Sequence, residues 1–207
     1  MILAGVFGLV LFLLLIIGDW YQFTNLHPSS ARYGYGLVQR KESPLEIPFS
    51  DLPGRFDKQG HLPLPHGIAR LFHDQQLIVI RPYYQLFTIR FRTAWPLKGT
   101  IEVVAEGERL PLKLIKRIPW SSALFTMSWL AIVSLGTVGF IIVFAINGGF
   151  GSASGMLMGL GVVGLGVLVL AFGLVMVSLA YRLEDQRLMQ VYQELREALV
   201  PPEHDPA

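Results

Sequence analysis

The side chains best suited to chemistry are His61, His66 and His73, with Asp57 and Asp74 beside them. Imidazole and carboxylate together are zinc ligands, yet this spacing matches no compact metal motif such as H-E-x-x-H. The surrounding run of Pro and Gly reads as surface loop, so no metal is expected. Asp19, Asp51 and Asp57 form no paired-carboxylate arrangement. Ser29, Ser30, Ser121 and Ser122 have no nucleophile-elbow context of the G-x-S-x-G kind. Gly34 and Gly36 make a lone Gly-Tyr-Gly, and the chain has neither a phosphate-binding G-x-x-x-x-G-K-[ST] nor a dinucleotide fingerprint. There is no cysteine, which removes disulfides, thiolate nucleophiles and Cys-ligated metals. A net charge of +2 with no basic, aromatic-interleaved run argues against nucleic acid.

The distribution of charge says more than any motif. Charged residues make up 15% of the 207, against about 25% in a typical soluble domain. They are also segregated. The first Asp, Glu, Lys, Arg or His after Met1 is Asp19, and from Ile118 to Tyr181 there is none. Silent blocks alternating with polar ones are the pattern of membrane spans. Ile2–Ile17 is a short first span within residues 1–18, followed by Trp20 and Tyr21 at belt positions. No basic residue precedes it and no small-x-small site follows, so it reads as an uncleaved anchor rather than a signal peptide.

The second silent block is too long for one span. It divides at Asn147-Gly148-Gly149, whose residues accept positive φ and mark a turn over 147–153. The spacing predicts spans over Ser121–Ile146 and Ser154–Tyr181 within residues 119–181. Trp20, Tyr21, Lys116, Arg117, Trp120, Tyr181 and Arg182 are the expected anchors at the membrane surface. No span contains an ionisable residue, which disfavours a proton relay, an ion path or a His-ligated cofactor within them.

Every Lys and Arg lies in residues 19–118 or in the tail over 182–207, and the turn carries none. The positive-inside rule then places both polar segments in the cytoplasm and the N-terminus outside, in an inner (cytoplasmic) membrane. Residues 77–116 alternate apolar and polar side chains at period two. They predict a four-stranded antiparallel meander over Leu77–Arg81, Gln85–Arg92, Thr100–Ala105 and Leu110–Leu114, with a hairpin loop at Glu106–Glu108. Short bursts at Tyr33–Leu37 and Leu45–Phe49 are candidate strands that prolines confine to edges. Gly67–His73 reads equally as a helical turn or a hairpin arm.

After Tyr181, the apolar residues Leu188, Val191, Tyr192, Leu195 and Leu199 fall on one stripe of a 3.6-residue period. Neither Gly nor Pro interrupts the chain before them, so an amphipathic helix continues the third span from about Ser154 to Leu199, until Pro201 and Pro202 stop it. The fold class is therefore an integral membrane protein, α plus a small β segment. Three transmembrane helices frame a cytoplasmic antiparallel sheet between the first and second.

Glycines repeat along the third span at Gly155, Gly159, Gly166 and Gly173, with Gly136 and Gly139 on the second. Small residues let helix backbones approach, which is how helices associate in lipid. These glycines are expected at helix contacts, within the hairpin and with other subunits. Leu188, Tyr192, Leu195 and Leu199, with Arg90 and Arg92 on the predicted strand, are candidates for a cytoplasmic partner contact. The expected role is a non-catalytic accessory or scaffold subunit of a larger inner-membrane assembly, respiratory or photosynthetic complexes being natural homes for one. Its partners are other integral membrane subunits and membrane lipids, with no cofactor. The alternatives are a standalone sensor with a ligand pocket in residues 22–116, and a lipid-modifying enzyme with titratable groups near Asp19, His27 and Lys116.

Overall fold

The computed structural model describes residues 2–45, 49–83, 93–103 and 110–199. Three helices are long and apolar enough to cross a membrane: α1 (Ile2–Thr24), α2 (Trp120–Ile146) and α3 (Ala153–Leu199). Between the first and second lies one open antiparallel sheet of six strands: β1 (Tyr35–Leu45), β2 (His61–Pro63), β3 (Gly67–Phe72), β4 (Leu77–Pro82), β5 (Lys98–Val103) and β6 (Leu110–Ile118). Their order across the sheet is β1-β6-β5-β4-β3-β2. Two compact units result. One comprises Met1–Ser121 with Leu183–Ala207, and the other Ser122–Arg182.

α1 runs about two turns past the apolar stretch that announces it, because no Gly or Pro stops it between Asp19 and Thr24. α3 is a single helix of 47 residues, about 70 Å at 1.5 Å per residue. Gly67–Phe72 proves to be a hairpin arm, paired with β4 from Gly67 opposite Pro82 to Phe72 opposite Leu77. The predicted meander is corrected at its second strand. Leu77–Pro82 pairs directly with Lys98–Val103, with Ile80 opposite Gly99, so nothing is inserted between them. Gln85–Arg92, Ile47 and the loop at Glu106–Glu108 lie outside the described residues.

Pairing register assigns every side chain to a face. Gly67, Ala69, Leu71, Ile78, Ile80, Ile101, Leu112 and Leu114 share one face, and all are buried. The α3 tail covers that face. Val191 lies so close to Gly67 that a Cβ there would sit 2.7 Å from its methyl, and Asp185 pairs with the buried Lys116. Leu188, Val191, Tyr192, Leu195 and Leu199 are all buried in this packing, each Leu contributing about 1.5–3 kcal/mol. The opposite face holds Ile68, Phe72, Leu77 and Val79 against Leu26 and Ala31, in the segment that follows α1.

In the second unit, α2 and α3 join through Gly148, whose φ of +69° suits glycine, and a short 3-10 turn at Gly149–Gly151. The glycines divide into two sets. Gly159 faces Phe150 and Phe144, Gly166 faces Thr137, and Gly173 faces Trp129, all within contact distance of a Cβ. Gly136, Gly139, Gly161 and Gly164 have open space beside them.

Gly166→Leu should therefore destabilise the hairpin by about 1–3 kcal/mol, since its Cβ would lie 2.3 Å from Thr137 Oγ1. Gly161→Leu should leave it unchanged. Unfolding of the detergent-solubilised chain by increasing SDS separates the two.

Candidate functional site

The end of α1 sets an accounting problem. The last carbonyls of any helix lack intrahelical partners, and here those of Phe23 and Thr24 are turned to the sheet. Thr24 Oγ1 and the Asn25 amide both donate to Tyr21 O. The following segment turns through a 3-10 helix at Pro28–Ser30. There Ser30 Oγ accepts from the His27 amide, and the hydroxyl donates towards Asn25 O and His27 O. Six further carbonyls between Phe23 and Gly34 are taken by sheet side chains.

Lys98 Nζ donates to Phe23 O at 3.2 Å and Ser30 O at 2.8 Å. Arg81 Nη1 donates to Thr24 O and Arg70 Nη1 to Leu26 O. Thr100 Oγ1 donates to Ala31 O at 3.0 Å, and Arg117 Nη1 to Gly34 O at 3.1 Å. The donors come from four strands but from one face. Lys98 sits opposite Arg117 on β6, and on the other side the β4 register brings Arg81 beside it. Gly34 closes the segment at φ +107°, where a Cβ would lie 2.6 Å from Ile118 O. Only glycine fits there.

Three like charges in one cross-strand row repel one another, and among the described residues no carboxylate partners Lys98. What compensates is the negative end of the α1 dipole together with the carbonyl oxygens themselves. For Lys98 the compensation is incomplete. It has no exposed surface, and burial, with Arg117 and Arg81 adding to it, lowers its pKa from 10.5 to about 7. A neutral amine keeps two N–H donors, the number its two carbonyls require. When protonated, the ammonium sits 4.6 Å from the centroid of the Phe23 ring, which takes part of the charge. Burial also lowers the pKa of Arg117.

One turn before this cap, Asp19 gathers the start of α2. Its carboxylate accepts from Tyr33 Oη at 2.7 Å, and from the amide and hydroxyl of Ser121 at 2.9 and 2.5 Å. Burial, with the hydrogen bond to Asp19, holds the Tyr33 phenol up at about 12. A carboxylate at the first turn of a helix is favoured by the dipole as well as by the hydrogen bonds. Tyr35 then packs edge-on against Trp120, ring centroids 5.5 Å apart.

No family model, curated protein or solved structure matches the chain. Function must be read from the geometry.

The residues singled out in the sequence separate accordingly. Gly159, Gly166 and Gly173 meet the neighbouring helix of their own hairpin, Gly155 packs on the Gly149 carbonyl, and Gly136 and Gly139 stand open. Leu188, Tyr192, Leu195 and Leu199 are buried in this chain and offer a partner no surface. Arg90 and Arg92 lie outside the described residues. Trp20 lines a cleft with Tyr83, Tyr21 is exposed, and Trp120 packs against Tyr35 at the start of α2. Lys116, in contrast, is buried against Asp185, and Arg117 is turned to Gly34 O, so neither reaches outward as an anchor. Tyr181 is half-buried and Arg182 exposed.

The three histidines are drawn to different places. His61 lies near Asp57 and His66 against Glu194, while His73 opens the turn between β3 and β4. A cleft of about 50 Å³ is lined by Trp20, Tyr83, Thr93, Pro96, Glu184 and Arg187. The cation row itself was missed. Its members are scattered over 37 residues of sequence, from Arg81 to Arg117, and only the strand pairing brings them together.

Two measurements test this assembly. Because Lys98 is protonated in the unfolded chain up to pH 10.5 but sheds its proton near pH 7 when folded, the unfolded state binds more protons between those values. Stability should rise from pH 7 to 10.5 by up to about 1.4 kcal/mol per pH unit, and fall to its floor below pH 7. Lys98→Met should remove that slope, read by denaturant unfolding of wild type and variant side by side. Asp19→Ala should cost about 1–3 kcal/mol, because it leaves the Ser121 amide and the Tyr33 hydroxyl without their acceptor.

Proposed function

We propose that this chain is a multi-pass, non-catalytic subunit of an inner-membrane assembly, which it joins through its helices. The observation that carries the reading is the pair of glycines on each hairpin helix that stand open, Gly136 and Gly139 on α2 and Gly161 and Gly164 on α3. Glycine is a poor helix former, costing about 1 kcal/mol against Ala in a helix interior, and against lipid it gains nothing. Its use in a span is to let another backbone approach. The glycines that serve the hairpin itself are a different set, so the open four fit neighbours supplied by other chains.

Orientation in this reading follows charge. Lys113, Lys116 and Arg117 precede α2, Arg182 and Arg187 sit where α3 leaves its apolar stretch, and the turn at 147–152 has no basic residue. The positive-inside rule favours the sheet and the α3 tail on the cytoplasmic side.

Extraction in mild detergent, followed by size separation and mass spectrometry, tests the assembly role. The native chain should comigrate with a defined set of membrane subunits. A Gly161→Leu/Gly164→Leu double variant should lose them while keeping its own unfolding profile. Migration of the native chain as a bare monomer or homo-oligomer would overturn the proposal.

A further inference from the structure

The second inference rests on the spanning part of that reading and concerns the sheet. One end of the sheet collects aromatic and apolar side chains that water does not favour. β1 is an edge strand and begins opposite Ile118, two residues before α2 starts at Trp120. A bulge interrupts its pairing at once, with Gly36 opposite Arg117 but Val38 opposite Lys116, leaving Leu37 as the extra residue. A bulge breaks strict alternation and re-aims side chains. Leu37 and Val38 are in consequence both exposed, at 40% and 42%, beside Tyr35 at 38% and Trp120 at 44%.

An apolar, exposed edge strand is an aggregation hazard in water, and soluble proteins guard such edges with charge. Here the charged residues of β1, Arg40, Lys41 and Glu42, come only farther along the strand.

The same level is marked on three other elements. Asp19 on α1 holds Ser121 and Tyr33, which brings the first residues of α2 and the approach to β1 beside the last turns of α1. Trp20 follows Asp19, and Tyr83, at the end of β4 and 42% exposed, lines one cleft with Trp20. Strand directions agree. β1 and β5 begin at this end, β4 and β6 finish at it, and the turn at His73–Gln75 lies at the other.

We propose that this end of the sheet is seated in the lipid headgroup layer, with Trp20, Tyr35, Leu37, Val38, Tyr83 and Trp120 as its contact. Trp and Tyr are the residues that settle at that depth, with an apolar ring in the acyl boundary and a polar tip in water. Leu37 is three residues from Trp120 counted through the paired strand, about 10 Å at 3.3 Å per residue, so it cannot leave the neighbourhood of the span. The bilayer is favoured over a second chain because the exposed row runs directly into the start of α2, and because Trp20 and Tyr83, which line one cleft, lie at the same end.

The chain has no cysteine, so single substitutions can be labelled without background. Leu37→Cys and Tyr83→Cys, each carrying an environment-sensitive fluorophore, are compared in phosphatidylcholine–phosphatidylglycerol vesicles with Ile132→Cys on α2 and Asp74→Cys at the far end. A nitroxide on the lipid headgroup should quench labels 37 and 83 and spare 74, and a nitroxide on the acyl chain should quench 132. If 37 and 83 behave like 74 while 132 is quenched, the seating is overturned and the spans stand. If 132 escapes both quenchers, the spanning reading fails first and takes the seating with it. If 37 is shielded from lipid and water alike, and nitroxides placed there broaden one another, the edge pairs with a second copy and the lipid proposal is overturned.

Discussion

The constraint on which this fold depends is the set of carbonyl oxygens at and beyond the end of α1. A helix that leaves an apolar stretch normally frays into water and lets water take its last acceptors. This one runs onto the face of a sheet, so the sheet must supply the donors. It does so with long cationic side chains, which reach further than a hydroxyl and match the negative end of the helix dipole. The cost is a crowd of like charges. That cost explains why the row contains a lysine: of Arg81, Lys98 and Arg117, only the lysine can give up its proton and still fill both carbonyls.

The two faces of the sheet solve different problems. One is apolar, and the α3 tail lies on it with Leu188, Val191, Tyr192, Leu195 and Leu199 as its buried stripe. Polar ties on that side stand at intervals along the tail: Glu184 to Thr93, Asp185 to Lys116 and Glu194 to His66. The other face is mixed, since it must hold a turning segment full of backbone acceptors rather than a regular helix. Burying Lys116 with Asp185 adds little net stability over an apolar pair, but removing either partner alone is costly, so the pair fixes the register of the tail on β6.

What could be read from the sequence tracks how local the governing physics is. The long apolar helices and the turn between α2 and α3 follow from runs of hydropathy and an Asn-Gly-Gly, and the starts of α2 and α3 are legible to within a residue or two. The tail stripe was legible as a stripe, but periodicity names the buried face without naming what covers it. The end of α1 was misjudged because Asp19 looks like a boundary residue, and its role as an acceptor for Ser121, 102 residues later, has no sequence signature. Lys116 and Arg117 show the same limit. Basic residues before a span read as anchors, and the pairing that turns one to Asp185 and the other to Gly34 O is a tertiary fact.

The glycines carry this lesson to its sharpest case. The glycines on α3 outnumber those that meet the hairpin itself, and spacing alone does not tell the two sets apart. The seven-residue series Gly159, Gly166 and Gly173 keeps to one side of the helix, as a 3.5-residue repeat must, and it is this series that the larger side chains Phe150, Thr137 and Trp129 fill. Gly161 and Gly164 are displaced from that series by two and five positions, about 200° and 140° around a helix of 100° per residue, which puts them on the far side. A glycine there makes no contact for its own hairpin. The hairpin thus has one face whose glycines are filled by its own side chains and another whose glycines stand open.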